Sequence, residues 1–423
     1  MGFEQLTLIS LRRTDTEDDI KKGISRKPLP DGVTDIEGIS HAGGIVVRED
    51  GSWLLAQEQS CRTSTDGGRS WSEARPLNYA VPAGGLIRLR SGALALYGQK
   101  EGSTWFAAST DDGNNWSEPI LVCDEARFTP MFHSTIQLAS GRLLLTGYIN
   151  GPSAWEFENG AMVSVHPELQ YDDVTAYGQW RGEEIAIEGH SHAPEMGMTV
   201  TYRSDDDGKS WTKHRGALIG WFDFQGIPNG YCGQTACFEP TIAEAREGNV
   251  LLLMRSTVGR LVQSFSTDGG EHWTAVVPSD LPSSESPGLM VTLPESGDLL
   301  LVWNQVSREE IRRGYRRGRL SSAVSGDGGH SWGNFKTLEL SEGIEDVDRI
   351  QPEYPIQMVR ARDWVGPLPD AWAYFHYANL DVVGDRVIVR YLRGSPLLGI
   401  AEQDLQKQES VMRVYPIDWF YAR

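Results

Sequence analysis

Chemistry-bearing side chains recur at two matching places in this chain. His41, His133, Glu239 and Tyr354 each stand at the head of an apolar segment. Gln57 with Glu58, then Gln99, Tyr148, Arg255, and Asn304 with Gln305, each close the Leu-rich segment that follows such a head. Five arginines, Arg312, Arg313, Arg316, Arg317 and Arg319, lead into a further apolar run. A pair of guanidiniums suits bidentate capture of a carboxylate. Histidine titrates near neutrality and serves as acid or base. The plainer roles stand beside these: arginines paired with neighbouring acids, and histidines hydrogen-bonded in a core.

The elements that position these residues are written in a repeat. Five octapeptides fit Ser-x-Asp-x-Gly-x-x-Trp: Ser64 to Trp71, Ser109 to Trp116, Ser204 to Trp211, Ser266 to Trp273 and Ser325 to Trp332. Upstream of each lies an apolar strand, a polar turn and a Leu-rich strand, beginning at Ala42, Ala83, His133, Glu239 and Pro287. A sixth, degenerate copy starts at Tyr354 and runs through AWAYFHY. Short apolar runs punctuated by Gly, Asp and Asn are hairpins. Six copies of a four-stranded unit predict an all-β, six-bladed propeller of four-stranded antiparallel blades with five octapeptide turns. The sixth blade lacks the octapeptide and is expected to close the ring with DRVIVRYL and a terminal segment, LTLIS or VMRVYPI. Residues 1–423 then form one domain, with a long blade-three insertion at about 150–197.

This topology sorts the residues by face. In a four-stranded meander the start of strand one, the end of strand two and the start of strand three share one end, and the octapeptide turn lies at the other. The octapeptide aspartates are therefore structural. Their carboxylates accept bonds within the turn, Gly supplies a positive φ and Trp packs between blades. The insertion, with Trp155, His166, Trp180, His190, His192 and Glu195, must emerge on the candidate face, where a long excursion is commonly a lid or specificity loop.

The net charge of −19 argues against a nucleic-acid or anionic-membrane surface. No apolar run reaches membrane-spanning length. The opening MGFEQLTLISLRRTDTEDD has no basic stretch followed by an apolar one, so no secretory leader is expected and a cytoplasmic location is favoured. Cys61, Cys123, Cys232 and Cys237 match no zinc spacing. Cys232 and Cys237 read either as a loop bridge or as free thiols. Neither a metal nor another cofactor is expected.

The octapeptides resemble the Asp boxes of the sialidase superfamily, and the modules resemble its blades across nearly the whole chain. The resemblance implies a substrate carboxylate held by three arginines, a tyrosine nucleophile activated by a glutamate, and an aspartate as acid/base. FEPTIAEAREGNVLLLMR is similar to the segment that maps Glu239 as the tyrosine's partner and Arg255 as the second arginine. RGRLSSAVSGDGG maps Arg317 as the third, and EYPIQMV maps Tyr354 as the nucleophile. A phenol is a weak nucleophile at its ordinary pKa of about 10. A carboxylate beside it takes its proton, and arginines favour the phenolate. Two positions depart from the pattern. His41 stands where the first arginine would open blade one, and the Glu that would support that arginine is missing from AWAYFHY. The connection carrying the acid/base is only QEQSCRTS, with Glu58 as its one carboxylate.

The first expectation is thus an exo-glycoside hydrolase releasing a sialic, ulosonic or uronic acid. Tyr354 and Glu239 supply the chemistry, with His41 or Glu58 in the vacant polar roles. Arg255 and Arg317 hold the carboxylate, with His133 and Gln57 beside the substrate. A second is a lyase on uronate-containing glycans, using a His–Tyr pair with Arg255 to stabilise the charge during β-elimination. A third is a carbohydrate-binding propeller without turnover.

Overall fold

The structure is a computed structural model. It describes residues 24–36, 38–125, 128–150, 155–158, 161–164, 175–180, 183–188, 197–223, 232–246, 248–354, 356, 372–395 and 408–422. Six four-stranded antiparallel sheets form the blades of a propeller. Innermost strand first, blade one is Gly44–Val47, Trp53–Gln57, Ser60–Ser64 and Arg75–Pro76. Blade two is Ala83–Arg88, Leu94–Lys100, Ser103–Ser109 and Ile120–Cys123. Blade three is Phe128–Gln137, Leu143–Asn150, Gly197–Ser204 and Thr212–Lys213. Blade four is Phe238–Glu244, Val250–Arg255, Arg260–Ser266 and Val277–Pro282. Blade five is Leu289–Thr292, Leu299–Trp303, Arg319–Ser325 and Gly333–Leu340.

Blade six corrects the sequence expectation. Its inner strand is Tyr374–Val383, not the segment from Tyr354, and AWAYFHY runs into that inner strand. The second and third strands are Arg386–Gly394 and Glu409–Pro416, and Thr34–Ile36 adds the outermost one. The physical reason lies in the turn. Gly384, at φ 57°, and Asp385 separate NLDVV from RVIVRYL, which is the stronger hairpin signal. The segment before it carries two prolines, at 367 and 369, and proline cannot donate to a ladder. The expected closing segment VMRVYPI does take part; LTLIS lies outside the described residues.

The octapeptides explain the spacing of the blades. In each, the Ser Oγ accepts the N–H of the Gly at the fifth position at 2.8–2.9 Å. The same hydroxyl donates to the Asp carboxylate at 2.8 Å. That carboxylate also takes the backbone N–H four residues on, at 2.8–2.9 Å. Bonds from the side chain and backbone of Ser70 hold Asp66 down at a pKa of about 2. From blade two on, this Gly meets the preceding blade. A Cβ on Gly113 would sit 2.7 Å from Leu54, on Gly208 2.3 Å from Phe106, and on Gly329 2.2 Å from Leu251. The Trp follows suit: Trp211 stands edge-on to Tyr97 with centroids 6.2 Å apart.

Between successive blades lie separate apolar cores, and one of them joins blade six to blade one through Ile36, Ile45, Leu55, Ile388 and Met412. Fully buried leucines such as Leu54, Leu96 and Leu252 each contribute roughly 1.5–3 kcal/mol. Among the described residues no helix is long and apolar enough to cross a membrane. Between Asn150 and Gly197, the hairpins Trp155–Glu158 with Ala161–Ser164 and Thr175–Trp180 with Glu183–Glu188 are seen. His166, His190, His192, Glu195 and the side chains of Trp155 and Trp180 lie outside the described residues. Cys61, Cys123 and Cys237 are buried free thiols; the side chain of Cys232 lies outside the described residues.

Inner strands approach so closely that glycine is required by space alone. A Cβ on Gly44 would stand 2.5 Å from the Leu86 backbone nitrogen. Gly44→Ala should therefore cost about 1–3 kcal/mol. Gly333→Ala, where a Cβ meets nothing within 4 Å, should stay within about 0.5 kcal/mol of the parent. Urea unfolding of both variants checks this.

Candidate active site

Inner-strand starts at the rim opposite the octapeptide turns share one device. Register shifts fall between Ala83 and Gly85, Pro130 and Thr135, Phe238 and Thr241, and His376 and Asn379. Such a bulge re-aims a side chain that would otherwise lie between blades. Two of these bulges hold a non-glycine residue at positive φ, Glu239 at 41° and Tyr377 at 50°. A left-handed conformation costs energy at either type, and strain of this kind clusters at functional sites.

Glu239 and Arg255 come together. Phe238 pairs with Arg255 across the ladder, and the Glu239 Oε2 receives the Arg255 guanidinium at 2.8 Å. Burial opposes the arginine's charge, but Glu239, by attraction and by this bond, moves its pKa upward, with help from Glu285 and Tyr377. Tyr148 packs edge-on against Phe238 at 5.3 Å. Burial first, then Glu239, push its phenol up to about 12.

Arg317 takes a different position from the rest of its cluster. Its guanidinium donates to His376 Nδ1 at 2.8 Å and to the Glu285 carbonyl at 3.3 Å. It lies over the rings of Tyr377 at 5.0 Å and Tyr374 at 5.6 Å. Arg317 is 6% exposed, and among the described residues these neutral groups are its partners. Arg319, by contrast, is paired with Glu310 at 2.9 Å, and Arg313 caps the Gly343 carbonyl. Asn304 ties blade five to blade six by donating to the Arg319 and Phe375 carbonyls.

The histidines His41 and His133 gather around Asn379 of blade six. The Asn379 amide donates to His133 Nδ1 at 2.9 Å and to the carbonyls of His41 and Gly43 at 3.1 and 2.9 Å. Arg390, fully buried, grips the same loop through the Ala42 and Gly43 carbonyls at 2.6 and 2.7 Å and is neutralised by Asp381 at 2.7 Å. Burial, then Arg390, lower the pKa of His41 to about 4. Burial, Arg390 and His41 lower that of His133 to about 3. Burial and Arg317 lower that of His376 to about 3, against a bond from Gln408 that raises it. All three are neutral at physiological pH.

Gln57 is half-buried at the end of its strand, and Glu58, exposed and at φ 50°, is bonded by backbone to Ala83 of the next blade. Tyr354 departs from its expected place. It is 64% exposed, its hydroxyl donates to Asp280 at 3.3 Å, and its ring rests against Arg260 at 4.8 Å. The reason is the register of blade six: Tyr354 precedes the inner strand by 20 residues. Sequence reasoning missed Tyr377, Tyr374, His376, Glu285 and Asn379. Reading the Gly384–Asp385 turn as the blade-six hairpin finds four of these at once, as the start of its inner strand.

Behind the rim runs a central channel of about 600 Å³ lined by all six inner strands. His133 and Asn379 reach it, whereas Glu239, Arg255, Arg317 and Tyr377 do not line it. Among the described residues no His, Cys, Asp and Glu side chains are grouped to hold a metal ion.

The model of a family described as a BNR repeat-like domain matches residues 86–368. No curated protein matches the sequence. Among solved structures, the chain is similar to the GH93 α-L-arabinofuranosidase of Fusarium graminearum with arabinobiose, at 12% identity and a TM-score of 0.50 over 92% of this chain and 99% of that one. It is also similar to the α-L-arabinanase of Penicillium chrysogenum complexed with arabinobiose, at 13% identity and a TM-score of 0.48 over 91% and 99%. The intramolecular trans-sialidase of Ruminococcus gnavus in complex with oseltamivir carboxylate follows at 12% and 0.33 over 80% and 94%. At 12% identity the first of these likenesses extends to the fold alone.

The buried histidines give acid sensitivity with a defined sign. The unfolded chain takes a proton at each near pH 6.5, while the folded chain refuses it until about pH 4 at His41. Stability present above pH 6.5 is therefore lost as pH falls toward 4, at up to about 1.4 kcal/mol per pH unit for each histidine. His376→Gln, which keeps an acceptor for Arg317, should flatten the slope by one proton. Unfolding free energies measured from pH 7 to 5 check both.

Proposed function

We infer, since the chain belongs to the BNR repeat-like domain family of sialidase-like propellers, that it is a glycoside hydrolase acting on a terminal sugar that bears a carboxylate. The observation that carries this reading is Arg317. Among the described residues Arg317 forms no ion pair; a buried guanidinium so placed is costly, and a carboxylate from the substrate supplies a counter-charge in the bidentate geometry that arginine favours. Arg255 is already neutralised by Glu239 at 2.8 Å. Its role is to hold that carboxylate in place.

Tyr377, in place of Tyr354, is then the nucleophile. Its ring lies against Arg317, and both it and Glu239 act electrostatically on Arg255. Glu239 receives the phenol proton as the phenolate attacks the anomeric carbon. The covalent intermediate is released by water, which reverses the proton transfer. Tyr-nucleophile sialidases are known exceptions among retaining glycosidases. Glu58, exposed on the same rim, serves as acid/base toward the leaving group, His41 and His133 line the sugar as neutral hydrogen-bonding groups, and Gln57 binds beside them. Residues 1–423 act as one propeller domain, with the blade-three insertion over this face.

Lyase chemistry is less well supported. Its base would be His41 or His133, and conjugate acids with pKa values of about 4 and about 3 make weak bases for a sugar C–H proton.

Umbelliferyl glycosides of sialic, ulosonic and glucuronic acids, with the arabinofuranoside as neutral comparator, test the reading. Tyr377→Phe should lower kcat at least about 100-fold, and Tyr354→Phe far less. The reverse outcome would restore Tyr354 as the reacting phenol. Arg317→Gln should raise KM for the acidic substrate by about 10–100-fold. Turnover of the neutral arabinofuranoside alone would refute the carboxylate assignment and leave the hydrolase. A product absorbing near 235 nm would identify elimination.

A further inference from the structure

We propose that Tyr354 is an aromatic platform for the sugar on the leaving-group side of the bond cleaved. The proposal rests on the hydrolase reading above but on different residues. Tyr354 is the most exposed large apolar side chain among those described, at 64%, yet it is held from beneath. The Arg260 guanidinium lies 4.8 Å from its ring centroid, and its hydroxyl donates to Asp280 at 3.3 Å. Arg260 is itself 3% exposed and fixed by the carbonyls of Ser279 at 3.3 Å and Glu353 at 2.5 Å. The ring thus has one face on a buried cation and the other open. Its orientation is set in advance, so a ligand that stacks on it orders little further side chain.

Its location fits a neighbouring subsite. Arg260 opens the third strand of blade four, five residues after Arg255 closes the second. The platform therefore lies on the active-site rim, outboard of the Glu239–Arg255 pair. Beside it, Gly259, Arg260, Pro282, Ser307 and Arg308 border a notch of about 20 Å³, room for one hydroxyl or water. Arg308 is oriented there by Glu353, whose carboxylate accepts its backbone N–H at 3.1 Å. An open aromatic face with a cation and a carboxylate at its edge matches a neutral sugar ring, whose C–H face is apolar and whose hydroxyls need both donors and acceptors. Pro282 of this notch stands three residues before Glu285, whose carbonyl accepts from Arg317 at 3.3 Å, so the platform borders the place where the acidic sugar would be held.

The test uses the full chain, Tyr354→Ala and Tyr354→Phe. Saturation-transfer NMR with sialyllactose, aldobiouronic acid and arabinobiose reads contact with each sugar ring. The reducing-end signals should vanish in Tyr354→Ala and persist in Tyr354→Phe. On the oligosaccharide that is hydrolysed, Tyr354→Ala should raise KM roughly tenfold more than it alters kcat. Reducing-end contact that depends on Tyr354 without any turnover would remove the hydrolase and keep the platform. Turnover with reducing-end contact undisturbed in Tyr354→Ala would keep the hydrolase and overturn the platform, as would the absence of such contact for all three probes.

Discussion

Closure of the ring is the constraint on which the site depends. Three residues, Thr34–Ile36, pair with Met412–Val414 and so complete the last blade with a strand from near the other end of the chain. Arg413 fastens the joint, facing Asp35 of that strand and ion-paired with the fully buried Glu339 of blade five at 2.8 Å. Once blade six is seated, Arg390 and Asn379 can hold the loop that carries His41. Without that contact, His41 and His133 would have no fixed relation to Tyr377 or Arg317. The rim is therefore a property of the closed circle and of no single blade.

Charge is distributed unevenly around that rim. Blade four brings a cation and an anion that cancel. Blade five brings a cation facing a neutral imidazole, two phenol rings and a carbonyl. Blades one and three bring histidines kept neutral by burial. A chain with a net charge of −19 thus keeps at this rim a buried guanidinium, Arg317, that forms no ion pair among the described residues. Burial strengthens an electrostatic interaction and makes an unmet one costly, which is why Arg317 carries more information than the exposed arginines around it.

Most of the fold was legible in the sequence because the octapeptide is a complete local instruction. Serine, aspartate and glycine satisfy one another within eight residues, and that geometry does not depend on distant chain. The inner hairpins of blades one to five were legible for the same reason, and with them Glu239, Arg255 and Arg317. Blade six was misread where that instruction is missing. An apolar, aromatic stretch interrupted by prolines reads as a hairpin, and DRVIVRYL then reads as a later strand that closes the ring. That single shift of register places Tyr377, and not Tyr354, at the start of the inner strand. Asn379, Arg390 and Glu285 were not legible, because their partners are carbonyls and charges brought in from other blades.

The glycine of each octapeptide leans on the blade made before it: Gly113 on Leu54, Gly208 on Phe106, Gly270 on Leu144 and Gly329 on Leu251. Gly68, the first, leans on Trp53 of its own blade. The dependency runs one way, from amino to carboxyl end. A growing chain leaving the ribosome therefore always presents a finished surface to the next turn, and assembly needs no unmade segment until its final act. That act, the return of Thr34–Ile36 to the last blade, must wait for Val414, so the nascent chain is an open arc until that residue has been made.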